Sequence, residues 1–283
     1  MAIGDRMATS TTSDALSAAT DAIAAAGSDT PRLDAELLLC EATGWDRAQV
    51  TAEPELRLPV GSSRAFAQMV RRRVRREPVA YILGRKGFRR IELLVDRRVL
   101  IPRPESELLV DIALELGPRN VLDVGTGSGA ITLAIADELP EAKVTAIDTS
   151  MDALRVAQTN VDRLGLGQRV DVVSAGIDSL PEGEFDLLLA NLPYVSEAEW
   201  EGLAPEIREH EPREALVSGP TGLEAIEGLL EALAALDPRP PATVLEIGAD
   251  HGTAVERLMR AAGYSEVEVR SDLAGLDRAV IGR

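Results

Sequence analysis

Three short stretches carry residue types whose spacing could do chemistry. The first is "VLDVGTGSGAI", in which an apolar run meets Gly125, Thr126, Gly127, Ser128 and Gly129. Glycine is used where a chain turns sharply or where backbone must approach a ligand closely, and the start of a following helix offers unsatisfied N–H groups. The second is Asp148 in "VTAIDTS", 23 residues beyond Gly125. A carboxylate at that spacing can accept the two hydroxyls of an adenosine ribose, and can also cap the helix that follows. The glycine run alone does not separate a nicotinamide cofactor from S-adenosylmethionine. The third is Asn191-Leu192-Pro193-Tyr194, which closes "FDLLLANLPYV". Asn191 has an amide oxygen acceptor, and Pro193 restricts Leu192 to an extended conformation that fixes its carbonyl. Two acceptors side by side suit an NH2 group, and Tyr194 offers a flat face against a planar amide or base. Holding both hydrogens directs the nitrogen lone pair outward, which suits methyl transfer to a weakly nucleophilic nitrogen and serves no purpose in hydride transfer.

These loops need strands that end on them. Candidate strands are 120–124, 143–147, 169–173, 185–190, 242–247, 265–270 and 278–282, with helical segments between most of them. Short apolar runs separated by such helices predict an α/β domain with a doubly wound, mostly parallel seven-stranded sheet. Ligands of such sheets sit at the carboxyl ends of the strands, where all three loops fall. The N-terminal part reads differently. "SDALSAATDAIAAAG", with Ser13 or Asp14 as cap, "TPRLDAELLLCEATG" and "SSRAFAQMVRRRVRRE" predict three helices, each followed by Gly or Pro. Between Gly84 and Pro104, β-branched residues around a turn at Asp96-Arg97 predict a short hairpin. The expected organisation is therefore a small all-helical domain over 1–84, a β-hairpin linker over 85–104, and the sheet domain over 105–283.

Composition narrows the partners. The net charge is −17, from 47 acidic against 30 basic residues. Such a surface repels phosphate backbones, favours a basic protein partner and disfavours stable nucleic-acid binding. The "RRRVRREP" run, Arg71 to Pro78, is the local exception. No run of eighteen apolar residues offers a membrane span, and the first residues lack a secretory apolar stretch. A single cysteine, Cys40, excludes an internal disulfide and reads as a small buried hydrophobe. The expected location is cytoplasmic, and no metal site is expected. His210 and His251 are isolated in the sequence, Glu105 and Glu107 suit a helix first turn, and Glu246 and Asp250 fall where a pocket wall is expected.

Over nearly its whole length the chain resembles the family of peptide-chain release factor glutamine methyltransferases. "RREPVAYILGRKGF", "VLIPRPESELLV", "VLDVGTGSGAI", "FDLLLANLPYV", "EPREALVSGPTGLEAI" and "VLEIGADHG" match family stretches in order. The resemblance implies a Rossmann-like class I methyltransferase fold and S-adenosyl-L-methionine as methyl donor. It assigns cofactor binding to the Gly125–Gly129 loop, Asp148 and Asn191, and substrate amide recognition and catalysis to Asn191, Leu192, Pro193 and Tyr194. The implied substrate is the glutamine of the Gly-Gly-Gln loop of translation release factors, docked by the helical domain and hairpin with the Arg71–Arg76 run. Two departures stand out. Leu192 occupies a position that is usually proline, which adds an N–H and removes some rigidity. Ala175 and Gly176 stand where an Asp and an aromatic residue are common, so adenine contacts fall to Gly176, Ile177 or Asp178. Asn-Leu-Pro-Tyr is also similar to the motif of ribosomal RNA adenine dimethyltransferases, but those place the catalytic fold before the helical domain. A cofactor-binding scaffold without catalysis is the other alternative.

Overall fold

A computed structural model describes residues 11–283; residues 1–10, on which part of the secretory-signal expectation falls, lie outside the described residues. The chain divides into two compact units, one reaching to Gly84 and including Ala204–His210, the other comprising Arg85–Leu203 and Glu211–Arg283. Among the described residues no helix is long and apolar enough to cross a membrane.

The first unit is helical: α1 (Thr12–Ala25), α2 (Pro31–Thr43), α3 (Arg47–Ala52), α4 (Val60–Val74) and α5 (Val79–Leu83). The cap of α1 is Thr11, whose side chain accepts from Asp14 N, and not Ser13 or Asp14 themselves. Pro31 opens α2 and Gly44 closes it in the left-handed conformation, as the sequence predicts. The apolar faces meet in a core of Leu16, Ile23, Leu38, Leu39, Phe66 and Val70. Cys40 packs half-buried at its edge, where burial raises the thiol pKa.

A sequence-distant segment completes this unit: α10 (Pro205–His210), which the chain inserts between two stretches of the sheet unit. Arg73 explains its place. The guanidinium is buried and donates to Asp34 Oδ2 at 2.7 Å and Ser28 Oγ at 2.7 Å, and pairs with Glu206 Oε1 at 2.8 Å. Arg76 also pairs with Glu206, and Arg72 with Glu77. Three of the five arginines of the basic run thus hold the unit together, and Arg71 and Arg75 remain exposed.

In the second unit the hairpin is β1 (Arg85–Phe88) against β2 (Ile91–Leu94), turning at Arg89-Arg90 and not at Asp96-Arg97. Arg89 takes a positive φ of 49°, which no local sequence signal marks; Asp96 instead closes a later turn through Val99 N. The hairpin is also more than a linker, because it packs into this unit. Phe88 and Leu93 are buried, and Asn160 on α8 (Met151–Leu164) bonds both Leu94 N and Leu94 O.

The strands that follow are β3 (Asn120–Val124), β4 (Lys143–Asp148), β5 (Val170–Ser174), β6 (Leu187–Ala190), β7 (Ala242–Glu246), β8 (Val267–Ser271) and β9 (Asp277–Gly282). They form one seven-stranded sheet in the order β5-β4-β3-β6-β7-β9-β8. Pairings through β7 are parallel and those of β9 antiparallel. Every residue of β6 and β7 is buried, as strands covered on both faces require. The helices α6 (Glu107–Leu116), α7 (Ala130–Glu138), α11 (Glu224–Ala234) and α12 (Gly252–Ala261) supply the cover; Ile226, Leu229, Val255 and Met259 pack on Leu122, Leu188 and Leu245. Chain order reverses between β3 and β6, where Val124 pairs with Ala190. The residues after both strands therefore emerge level with each other, at the switch point where such sheets bind ligands.

The buried ion cluster yields a prediction. Asp34→Ala leaves Arg73 short of a partner and should destabilise the helical unit by about 3–5 kcal/mol, read by urea unfolding through Trp45 fluorescence with Trp200 replaced by Phe. Adding Arg73→Met should restore most of the loss; an unchanged midpoint in the single variant would contradict the assignment.

Candidate active site

The glycine loop leaves β3 with Gly125 at φ +78°, and a Cβ there would press on the Leu192 side chain at 3.2 Å. Gly125 N and Thr126 N both donate to Ile147 O, tying the loop to β4. Thr126 and Ser128 are buried and line a cavity of about 50 Å³ beside Asn191. The Thr126 hydroxyl lies 3.2 Å from that of Thr132, which donates to Asp123 Oδ2 at 2.5 Å. Burial raises the Asp123 carboxyl to a pKa of about 6, with the threonine hydroxyls opposing the shift. Ser128 O accepts from Asn160, so one side chain braces both loop and hairpin. Gly129 stands apart: it caps α7, faces Leu133 and Ala157, and lines none of the cavities around Asn191.

Asp148 ends β4 as expected. Its Oδ2 accepts Gly127 N at 2.9 Å and its Oδ1 accepts Ser150 N at 2.8 Å, while Ser150 caps α8. Both oxygens keep further lone pairs, because a carboxylate offers about four acceptor sites. Asp148 lines a cleft of about 270 Å³ with Gly125, Gly127, Gly176, Asn191 and Leu192. The cleft has room for an adenosine: Gly127, beside which a Cβ would meet only open space, lies at one side with a carboxylate that has acceptor capacity to spare. In the region expected for adenine, Gly176 opens the short 3-10 turn Ile177–Ser179 and donates to Ser179 Oγ at 3.2 Å. Ile177 packs partly on the core, with Cδ1 against Gly228, and exposed Asp178 borders the cleft.

Asn191 is the first residue beyond β6. Its Nδ2 donates to Ser106 Oγ at 3.0 Å, and its Oδ1 receives no donor from the described residues. The Leu192 carbonyl is likewise unclaimed by described donors. The leucine side chain is buried in the sheet core and borders Gly125. Packing therefore supplies the rigidity that a second proline would have given. Tyr194 donates to Glu246 Oε1 at 3.3 Å, and burial together with that carboxyl pushes the phenol up to about 12.

Beyond Tyr194 the chain, which runs on into the short helix α9 (Glu197–Trp200), is clamped. Val195 N bonds Leu216 O and Ser218 N bonds Val195 O, each at 2.9 Å. Gly222, at φ +81°, lies so close that a Cβ would collide with the Tyr194 carbonyl. That is the role of "EPREALVSGPTGL". Its Glu211 is buried, accepts Ile101 N at 3.0 Å and pairs with Arg103 at 2.6 Å, joining it to "IPRPESE". Ser106, Arg103, Glu211 and Gly222 are site residues that motif spacing alone does not assign. Glu105 and Glu107 do not cap α6 through their side chains; Glu107 Oε1 accepts Arg89 N instead. A third cavity, about 20 Å³, is bounded by Arg103, Asn191, Leu192, Pro193, Tyr194 and Glu246. Asn191 lines all three cavities, which places it where the larger cleft and the two small pockets adjoin. Chemically, Asn191 Oδ1 and the Leu192 carbonyl are two acceptors on adjacent residues with no described donor, beside a cleft sized for a nucleoside.

Residues 14–84 match a family described as the PrmC N-terminal domain, and residues 121–210 match a methyltransferase domain family. The release factor glutamine methyltransferase of Caulobacter vibrioides is 42 % identical over 274 residues, covering 95 % of this chain and 94 % of that protein. The protein of the same description from Chlorobaculum tepidum is 40 % identical over 266 residues, covering 89 % and 90 %. Among solved structures, the hMettl16 catalytic domain in complex with the MAT2A 3'UTR hairpin 6 aligns with a TM-score of 0.59 at 16 % identity, over 77 % of this chain and 81 % of that one; this likeness is one of fold. Given such identity across nearly all of both chains, the protein belongs to the release factor glutamine methyltransferase family.

Proposed function

We propose that the protein transfers a methyl group from S-adenosylmethionine to the side-chain amide nitrogen of the glutamine in the Gly-Gly-Gln loop of translation release factors. The observation that carries this reading is the position of Asn191, shared by the nucleoside-sized cleft and the small pocket bounded by Tyr194 and Glu246. S-adenosylmethionine supplies an electrophilic methyl on a sulfonium. Asp148 would hold the ribose hydroxyls, and the Gly125–Gly127 backbone would hold the amino-acid part of the cofactor. Asn191 Oδ1 and the Leu192 carbonyl accept the two hydrogens of the glutamine NH2 and aim its lone pair at the methyl carbon. These two bonds strengthen as positive charge develops on nitrogen, so they favour the transition state over the bound substrate. Tyr194 packs on the amide plane. The sulfonium S–C bond would break as the N–C bond forms, leaving the neutral thioether S-adenosylhomocysteine, and the amide proton would then pass to water, so no strong base is required.

The helical unit is assigned the docking of the release factor. The acidic surface suits a basic protein partner, and Arg71 and Arg75 are the members of the basic run that remain exposed for contact. The adenine-methylating alternative loses support from relatives that align over both units, and the scaffold alternative from the unclaimed acceptors at Asn191 and Leu192.

The test is transfer of labelled methyl to purified release factor, to the same factor with its Gly-Gly-Gln glutamine replaced, and to ribosomal RNA. Label is expected on the intact factor alone; label on RNA alone would overturn the reading. Asn191→Ala should lower kcat by roughly 10²–10³-fold with the fold retained. Asp148→Ala should weaken cofactor binding by roughly 10- to 100-fold, as expected for hydrogen bonds to a charged group. Near-normal turnover in Asn191→Ala would sink the amide clamp. Gly222→Ala, which forces the Tyr194 backbone aside, should reduce kcat/KM by roughly a hundredfold while calorimetry finds cofactor affinity unchanged; normal turnover would remove Gly222 from the loop-positioning account.

A further inference from the structure

Glu246 is the last residue of β7 and is buried, 1 % exposed, against the pocket that holds Asn191 and Tyr194. Its Oε1 accepts the Tyr194 hydroxyl, and its Oε2 is buried with no hydrogen-bond partner among the described residues. No hydrogen bond reaches that oxygen, but the Ser106 hydroxyl lies within its influence and opposes the effect of burial on the carboxyl. Ser106 already accepts from Asn191 Nδ2. Glu246, Ser106 and Asn191 thus stand in a row that ends at the group assigned to the substrate amide.

Donor count gives this row a direction. A carboxylate only accepts, so a hydroxyl beside it must donate. The Ser106 hydroxyl has one proton; committed to Glu246, it can only accept on its other side. Asn191 must then turn its NH2 toward Ser106 and its Oδ1 outward. An asparagine amide is nearly symmetric in shape, so without such a partner both orientations fit the same space. The reversed amide would offer two donors to a substrate NH2 that also donates. We propose that Glu246 and Ser106 are positioning residues that fix the Asn191 amide in its acceptor orientation, and that Glu246 does so only as a carboxylate. The inference rests on the amide-clamp reading above.

Burial pushes the Glu246 carboxyl up to about 7, against the pull of Ser106, Arg278 and Tyr194 and with Glu105 adding to the rise. Arg103 borders the same cavity and is paired with Glu211. With the carboxylate as the orienting form, kcat/KM should fall as pH drops through about 7. Glu246→Gln keeps the shape but can donate to Ser106, which frees the serine proton to hold Asn191 reversed.

The experiment measures release-factor methylation against pH in the unaltered enzyme, Glu246→Gln, Ser106→Ala and Ser106→Thr, with cofactor affinity by calorimetry. Glu246→Gln should lose roughly a hundredfold in kcat/KM and lose the acid limb, with cofactor affinity within about twofold. Ser106→Ala should lose activity and its acid limb, and Ser106→Thr, which keeps the hydroxyl, should restore both. A substrate-free readout separates this inference from the reaction itself. In the enzyme alone, the Asn191 side-chain amide signal, identified by its loss in Asn191→Asp, should titrate near neutrality and cease to do so in Glu246→Gln. An Asn191 signal that ignores pH, or an unchanged rate profile in Glu246→Gln, overturns the proposal. Failure of the unaltered enzyme to methylate any release factor would count against the proposed function and leave the titration to decide this one. Should Glu246→Gln not fold, Ser106→Ala carries the same comparison.

Discussion

The site depends on one backbone pairing. Because β3 and β6 run parallel with Val124 opposite Ala190, the glycine loop and Asn191 leave the sheet side by side. Neither loop would suffice alone: a glycine turn binds many nucleosides, and Asn-x-Pro-Tyr without a cofactor beside it holds an amide to no purpose. Contact between Leu192 and Gly125 closes this arrangement. A larger residue in place of Gly125 would separate the two loops, so the glycine is required by its neighbour as well as by its dihedral angle.

Around that crevice, polar side chains from distant sequence join the motifs. Asn160 ties the hairpin to the glycine loop, and Glu211 ties "IPRPESE" to the segment that brackets Tyr194. These are buried hydrogen bonds and ion pairs, costly to break because the partner left behind stays desolvated. They have little tolerance for displacement, which suits a reaction that must align a weak nucleophile with a methyl carbon. The acidic chain spends several of its arginines in this way. Arg73, Arg76 and Arg103 each hold a carboxylate inside a unit.

Much of this was legible in the sequence, for identifiable reasons. The strands of the sheet are apolar runs bounded by glycine or polar turns, so each appears within a few residues of its expected place. Asp148 and Asn191 sit where strands stop, and strand ends are marked by the change from apolar to polar. The hairpin turn was misplaced because Arg89 adopts a positive φ that tertiary bonds to Glu138, Asp111 and Glu107 stabilise, with no glycine or asparagine to announce it. The basic run looked like a surface because its partners Asp34 and Glu206 lie far away in sequence. Ser106 and Glu246 carry no spacing signal relative to Asn191, since three separate elements bring them together only after folding.

The central claim is that Asn191 and Leu192 hold both hydrogens of one NH2 group. The most direct test is to methylate release factor to completion with excess cofactor and locate the product by mass spectrometry and by NMR of glutamine labelled at its amide nitrogen. A single methyl on that nitrogen is expected, with one N–H remaining and no second addition on longer incubation, because a methylated amide no longer offers two hydrogens to the clamp. A methyl on another atom, or a dimethylated amide, would contradict it.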